Sequence, residues 1–287
     1  MVTTPAEPSP EWDVAAVDPD EYAERIGHRG PLRPDLETFT ALHRAHVAAV
    51  PFENLDVMLG RGPDIGLPTV VDKIVRRRRG GYCYEMNLLF AAVLDRIGVP
   101  VRRSLIRTGD PLVHARPRSH LVVLAELDGR TWLGDVGFGS GPSEPIPVDR
   151  EARSPQGGWT YRVTEPFGDG DRRVQELRGG RWETMYTLIP DATFPVDVAL
   201  ANESTSTSPG SPFVKRPIVV KRGPASERRL LGRTLTEVRP DGSETAKEIA
   251  DVDYAATLAE AFDLELTEDE AKLVTAAIPH PSDAALG

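Results

Sequence analysis

Cysteine is nearly absent: Cys83 is the only one among 287 residues. One thiol excludes an internal disulfide, so packing must hold the fold, and the chain suits a reducing compartment, which points to the cytoplasm. Long apolar runs are missing too. No stretch approaches the roughly 18 apolar residues of a membrane span. The opening MVTTPAEPSPEWD has neither the basic region nor the apolar core of an export signal. Neither export nor a membrane partner is expected. Positive charge is in deficit, with 34 Lys and Arg against 44 Asp and Glu and a net charge of −10. Nucleic-acid surfaces need concentrated positive charge to release counterions from phosphate, so no nucleic-acid partner is expected. The one basic run, 76–79, reads as a solvated helix end, where cations offset the helix dipole.

What is present is ordinary for a folded chain: 40% hydrophobic and 27% charged residues, over a length that suits two or three compact units. The Pro-, Ala- and Thr-rich N-terminal tail is the only strong low-complexity segment. The first third reads as helical. In ETFTALHRAHVAAV, Leu42, Ala45, His46 and Ala49 recur at near-helical spacing until Pro51, and PTVVDKIVRRRR predicts a second helix with Thr69 as its cap. A third starts near Cys83 and runs to Gly98, a suitable left-handed cap, with Pro100 beyond it. From about residue 101 the pattern turns to short strands: VRRSLIRT, HLVVLAEL, TWLGDVGF, WTYRVTE and the segment around RWETMYTL. ANESTSTSPGSPF reads as polar and structure-poor. PIVVKR, RRLLGRTLTEVRP and SETAKEIA then read as strands, the last two joined across Asp241-Gly242. DYAATLAEAF and EDEAKLVTAAI close the chain as helices, the second announced by a capping box of Thr267 and Glu270.

Lone cysteines usually pack as inert hydrophobes. Here Cys83 sits in RGGYCYEMN, after Gly80 and Gly81, which permit a tight turn and close approach to another group, and at a predicted helix start, whose free N–H groups favour thiolate. That setting suits a nucleophile. Such a thiolate needs a base, and the base needs a group that fixes its tautomer. His43 and His46 fall on a predicted helix and read as packing residues. His28, His114 and His280 lie in loops containing Pro or Gly, and no histidine spacing suggests a metal site. His120 opens HLVVLAEL, which the Asp128-Gly129 turn folds back onto TWLGDVG. Counting outward from that turn pairs Leu127 with Arg130, Leu124 with Leu133, Val122 with Asp135 and His120 with Gly137. His120 and Asp135 then share a face as diagonal neighbours, about 7–8 Å apart along the backbone, and glycine opposite His120 leaves room for the imidazole. An aspartate sharing a face with Val122 and Leu133 needs a partner, and His120 is the nearest.

RGGYCYEMN, PRSHLVVL and WLGDVGFG, preceded by HVAAVPFENLDV, together resemble the arylamine N-acetyltransferases, and the similarity runs from about Tyr22 to the C-terminal helices. The resemblance implies an α+β fold around a cysteine-protease-like Cys-His-Asp core. A helical domain (1–100) would hold Cys83, a central β-barrel (101–200) would hold His120 and Asp135, an interdomain segment (201–217) would follow, and an α/β lid (218–287) would close the chain. It implies ping-pong chemistry: acetyl-CoA, as co-substrate, acylates Cys83, and an arylamine, arylhydrazine or N-hydroxyarylamine takes the acetyl group, with no metal. Phe52 and Phe138 would line the acceptor pocket. Ser119 and Gly139 would lie near CoA, with Thr207 and Phe213 as further CoA contacts, and a homodimer is among the expected assemblies.

The chain departs from the family pattern in places. DVGFG continues as SGPSEPIPV rather than Gly-Gln-Thr, Glu203 and Ser204 stand where Trp and Tyr are common, and Leu88 replaces a common glycine. Three other readings use the same residues: an amide synthase closing a macrolactam from a carrier-protein thioester, a thiol hydrolase of transglutaminase or peptidase type, and a non-catalytic binding module.

Overall fold

A computed structural model describes residues 12–278 except 224, so most of the N-terminal tail, and His280, lie outside the described residues. The fold is α+β. Helix α1 (Pro19–Ile26) starts on Asp18, whose carboxylate accepts the Asp20 and Glu21 N–H groups, with Pro19 where a missing N–H costs nothing. Helix α2 (Leu36–Ala49) is capped by Asp35 and stops ahead of Pro51. It buries Phe39 and Leu42, and also His43 and His46. Strand β1 (Phe52–Glu53) and helix α3 (Leu55–Met58) follow.

The next segment corrects an expectation. PTVVDKIVRRRR is not capped by Thr69, whose hydroxyl donates to Asp64. It begins a turn earlier as α4 (Leu67–Val70) and passes into a π-helical turn, Val71–Arg76. The wider winding turns three consecutive residues inward, Lys73, Ile74 and Val75, which a 3.6-residue period does not foresee. Lys73 is drawn in by carboxylates: Asp56 and Glu85 at 2.7 Å and Glu53 at 3.8 Å. Helix α5 (Cys83–Arg96) starts at the cysteine as read, and Gly98, at φ 87°, closes it. Everything from Cys83 to Leu94 is buried. Leu89 and Phe90, with no exposed surface, contribute about 2 kcal/mol each by burial.

Eight antiparallel strands form the second layer: β2 (Val101–Thr108), β3 (Arg118–Leu127), β4 (Arg130–Gly134), β5 (Ile146–Pro147), β6 (Ala152–Gln156), β7 (Trp159–Val163), β8 (Arg172–Arg178) and β9 (Arg181–Leu188). Their order is β5-β4-β3-β2-β9-β8-β7-β6, curled into a near-closed barrel around Val122, Leu124, Tyr161, Val174 and Tyr186. The β3–β4 hairpin turns at Asp128 and Gly129, both in the left-handed region. Leu127 pairs with Arg130 and Leu124 with Leu133, as counted, but the ladder ends at Val123–Gly134. The expected pairs Val122–Asp135 and His120–Gly137 do not form.

The stretch ANESTSTSPGSPF is helical rather than structure-poor, falling in α6 (Pro195–Thr207) and α7 (Pro212–Lys215). Pro195 opens α6, the Asp197 carboxylate accepts the Phe194 N–H, and Thr205 is buried against Tyr84. These contacts leave little helical periodicity in the sequence. The last sheet runs β1-β10-β11-β12-β13, with β10 (Ile218–Arg222), β11 (Glu227–Leu231), β12 (Thr234–Val238) and β13 (Glu244–Glu248). RRLLGRTLTEVRP is therefore two strands, broken where Gly232 takes φ 61°. Helices α8 (Tyr254–Phe262) and α9 (Glu268–Ala276) cover this sheet, and Thr267 and Glu270 form the capping box read from the sequence. Strand β1, from the first hundred residues, pairs with β10 through Phe52–Val220. Among the described residues no helix is long and apolar enough to cross a membrane.

Candidate active site

Cys83 occupies the first position of α5 and is buried. The Cys83, Tyr84 and Glu85 N–H groups precede the first intrahelical bond, from Met86 N–H to Tyr82 O, so the helix start presents donors with no helical acceptor. Glu85 reaches back to accept the Tyr82 N–H at 3.0 Å, and its other oxygen meets Lys73 Nζ at 2.7 Å. The preceding glycines act through close approach. A Cβ at Gly80 would lie 2.1 Å from Pro51 O and one at Gly81 3.0 Å from Glu85 Oε2, while the left-handed residue here is Arg78. Arg79 donates to Glu53 at 2.9 Å and Asp56 at 3.3 Å, a buried structural ion pair.

His120 Nε2 lies 2.8 Å from Asp135 Oδ2, and the Cys83 thiol is near enough to the His120 ring to help raise its pKa. With Nε2 held by the carboxylate, Nδ1 is left for the sulfur. Burial works against a charged imidazole, but the Asp135 carboxylate and the thiol outweigh it and carry the His120 pKa up to about 10. For Asp135, burial pushes upward, and His120, Asn87 and the Gly137 N–H hold the carboxyl below its ordinary value. Asp135 Oδ1 accepts from Asn87 Nδ2 at 2.9 Å and from Gly137 N–H at 3.1 Å. A thiol, an imidazole and an ionised carboxylate in sequence can pass a proton from sulfur to nitrogen and hold the resulting charge.

Asn87 does more than sit beside the thiol. It also donates to Leu121 O at 2.7 Å and accepts the Val136 N–H at 3.1 Å, tying α5 to β3 and to the segment after β4. Its place one helical turn after Cys83 was the signal for it. His43, read as a packing residue, is buried but accepts the Asp135 backbone N–H through Nε2 at 3.1 Å. Gly137 does not face His120: a Cβ there would lie 2.8 Å from Cys83 Cα, so the missing side chain makes room for the start of α5.

Phe138 packs edge-on against the His120 ring at 5.1 Å, with Tyr186 closing the group at 5.6 Å from His120. Ser119 O accepts the Tyr84 hydroxyl at 2.8 Å and lies 4.0 Å from Cys83 Sγ. Phe213 stands between Phe52 at 5.9 Å and Tyr82 at 6.0 Å. Gly139, at φ 81°, turns its bare face to Val220 and Phe52, where a Cβ would lie 3.2 and 3.3 Å from their atoms. Thr207 is exposed and its hydroxyl donates to Glu203 O; in the same segment Thr205 reaches the site through Tyr84 and Asn202 through Tyr82. Among the described residues no group of three His, Cys, Asp or Glu could hold a metal ion.

A family model described as N-acetyltransferase matches residues 35–271. The arylamine N-acetyltransferase of Mycolicibacterium smegmatis is 36% identical over 242 residues, 80% of this chain and 85% of the relative. The structure of the arylamine N-acetyltransferase from Mycobacterium abscessus superposes with a TM-score of 0.89 at 32% identity, covering 95% of this chain and 98% of that one. The Mycobacterium marinum protein, solved in complex with CoA, matches at a TM-score of 0.84 and 27% identity over 91% of this chain and 100% of its own. The chain belongs to the arylamine N-acetyltransferase family.

Proposed function

We propose that the protein moves an acetyl group from acetyl-CoA, through a thioester on Cys83, to the nitrogen of an arylamine, arylhydrazine or N-hydroxyarylamine. The observation that carries this reading is the His120–Asp135 hydrogen bond beside the Cys83 thiol at a helix start. His120 takes the thiol proton, and Asp135 stabilises the imidazolium and fixes its tautomer. The thiolate attacks the acetyl carbonyl. Free N–H groups at the start of α5 are placed to receive the developing oxyanion, and the carbon–sulfur bond to CoA breaks as His120 returns the proton to the leaving sulfur. In the second half the amine attacks the thioester, His120 accepts its proton, and the Cys83 sulfur leaves. Phe52 and Phe138 would pack on the acceptor ring, with Ser119, Gly139, Thr207 and Phe213 on the CoA side. A single free thiol that must stay reduced suits the cytoplasm.

Intact-mass measurement after incubation with acetyl-CoA, without amine, tests the first half-reaction. One acetyl adduct is expected in the parent and none in Cys83→Ala, whose circular dichroism should be unchanged. An adduct that persists in Cys83→Ala would sink the assignment. Adding an arylamine should discharge the adduct as the N-acetyl product; steady acetate release unaffected by amine would mark a hydrolase instead.

A further inference from the structure

His43, an ionisable side chain outside the three reacting groups, is bonded directly to the backbone of one of them. His43, on α2, has no exposed surface; its Nε2 lies 3.1 Å from the Asp135 backbone nitrogen and its Nδ1 3.0 Å from Ser143 O. A backbone N–H can only donate and a carbonyl can only accept. Nε2 is therefore the acceptor and Nδ1 carries the proton, which defines one neutral tautomer. The ring is wedged by Phe39 at 6.4 Å and Phe90 at 5.7 Å, both edge-on. Burial is the main reason its pKa is lowered to about 4, against the opposing pull of Ser143 O, Asp135 and Glu144.

The location of this bond matters. The β3–β4 ladder stops at Gly134; the Asp135 N–H points to the side of β4 away from β3, as Thr131 O does, and His43 is its acceptor there. A buried amide left unsatisfied is costly, so without His43 the backbone at Asp135 would shift to find another acceptor. Such a shift would carry the Asp135 carboxylate off its bonds to His120 Nε2 and the Gly137 N–H. By holding Ser143 O as well, the same ring ties down both ends of the segment 135–143, which carries Gly137, Phe138 and Gly139.

We infer that His43 is a positioning residue: by bridging the Asp135 N–H and Ser143 O it fixes the backbone at Asp135 and aims the Asp135 carboxylate at His120. The inference rests on the reading of Cys83, His120 and Asp135 as the reacting groups. Losing the bond misplaces the carboxylate, which weakens the imidazolium and moves formation of the reactive thiolate to higher pH. The titratable groups facing His43 are Asp135, Glu144 and His46, and those facing His120 are Asp135, Cys83 and Tyr186.

Three variants separate positioning from packing. His43→Leu removes both bonds at similar volume, His43→Asn keeps a donor for Ser143 only, and His43→Gln can place its amide oxygen where Nε2 was. With acetyl-CoA, His43→Leu and His43→Asn should acylate Cys83 about 10- to 100-fold more slowly, as expected for a displaced reacting group, and the pH profile of iodoacetamide labelling at Cys83 should move to higher pH. His43→Gln should restore most of both. Parental rate and profile in His43→Leu and His43→Asn would overturn the inference, as would a rate loss that follows only the unfolded fraction while the pH profile stays put. If the parent itself forms no adduct at Cys83, the triad reading falls first and this inference with it.

Discussion

A single hydrogen atom at position 137 lets the segment after β4 lie on the start of α5. A Cβ there would meet Cys83 Cα at 2.8 Å, Asn87 Nδ2 at 2.8 Å and Cys83 O at 3.1 Å, two of which are backbone atoms that cannot rotate away. Gly137→Ala must therefore move the loop or the helix. The expected result is a folded protein with about 10- to 100-fold slower acylation of Cys83, read as the pre-steady-state burst with acetyl-CoA; a parental burst would show that the contact does not matter. The sequence argument gave this glycine a different task, making room for the imidazole, because it extended the hairpin count past Gly134. Local counting placed His120 and Asp135 near each other correctly. It could not see that Asn87 and His43, from two helices, take over the hydrogen bonding where the ladder stops.

At the scale of the element, α2 buries two neutral histidines. Burial lowers His43 from its ordinary 6.5 to about 4 and His46 well below its ordinary value. The unfolded chain binds protons at these positions as the pH falls through 6.5 while the folded chain refuses them, so the stability they support is present above pH 6.5 and lost toward pH 4. For His43 alone the full loss is roughly 3 kcal/mol. His120 has the opposite sign: raised to about 10, it contributes below 6.5 and its contribution is lost as the pH rises through 10, so the acid arm reports on α2. Urea midpoints should fall between pH 7 and pH 5, and fall less in His43→Gln; equal slopes would contradict this account. The boundaries of α5, α8 and α9 were legible because caps and stop residues are local. The π-helical turn and α6 were not, since their form depends on the carboxylates around Lys73 and on the Thr205–Tyr84 contact.

For the whole molecule, the contact that decides how the last sheet sits on the barrel is Arg222. From β10 it meets Glu227 of β11 at 2.6 Å and Glu176 of β8 at 3.5 Å, donates to Gly141 O at 2.9 Å and to the Tyr161 hydroxyl, and lies 4.1 Å over the Trp159 ring. Ser140 joins through its hydroxyl on Glu227, so the segment after Phe138 is held by the same cluster. Arg222→Met would leave two buried carboxylates with only Arg229 and Arg178 as ion-pair partners, at a cost of about 3 kcal/mol. Hydrogen exchange should then show β10–β13 losing protection before β2–β9; uniform loss across both sheets would argue against Arg222 as the coupling residue. The sequence by itself determined the α+β class, the helix-start thiol and the hairpin that brings His120 to Asp135, because capping, turn chemistry and strand alternation act over a few residues. Tertiary structure alone decided where β4 ends, what Gly137 makes room for, and that β1 and Arg222 bind the last sheet to the rest. Those outcomes depend on buried polar groups finding partners far along the chain, and no local pattern records which partner each will find.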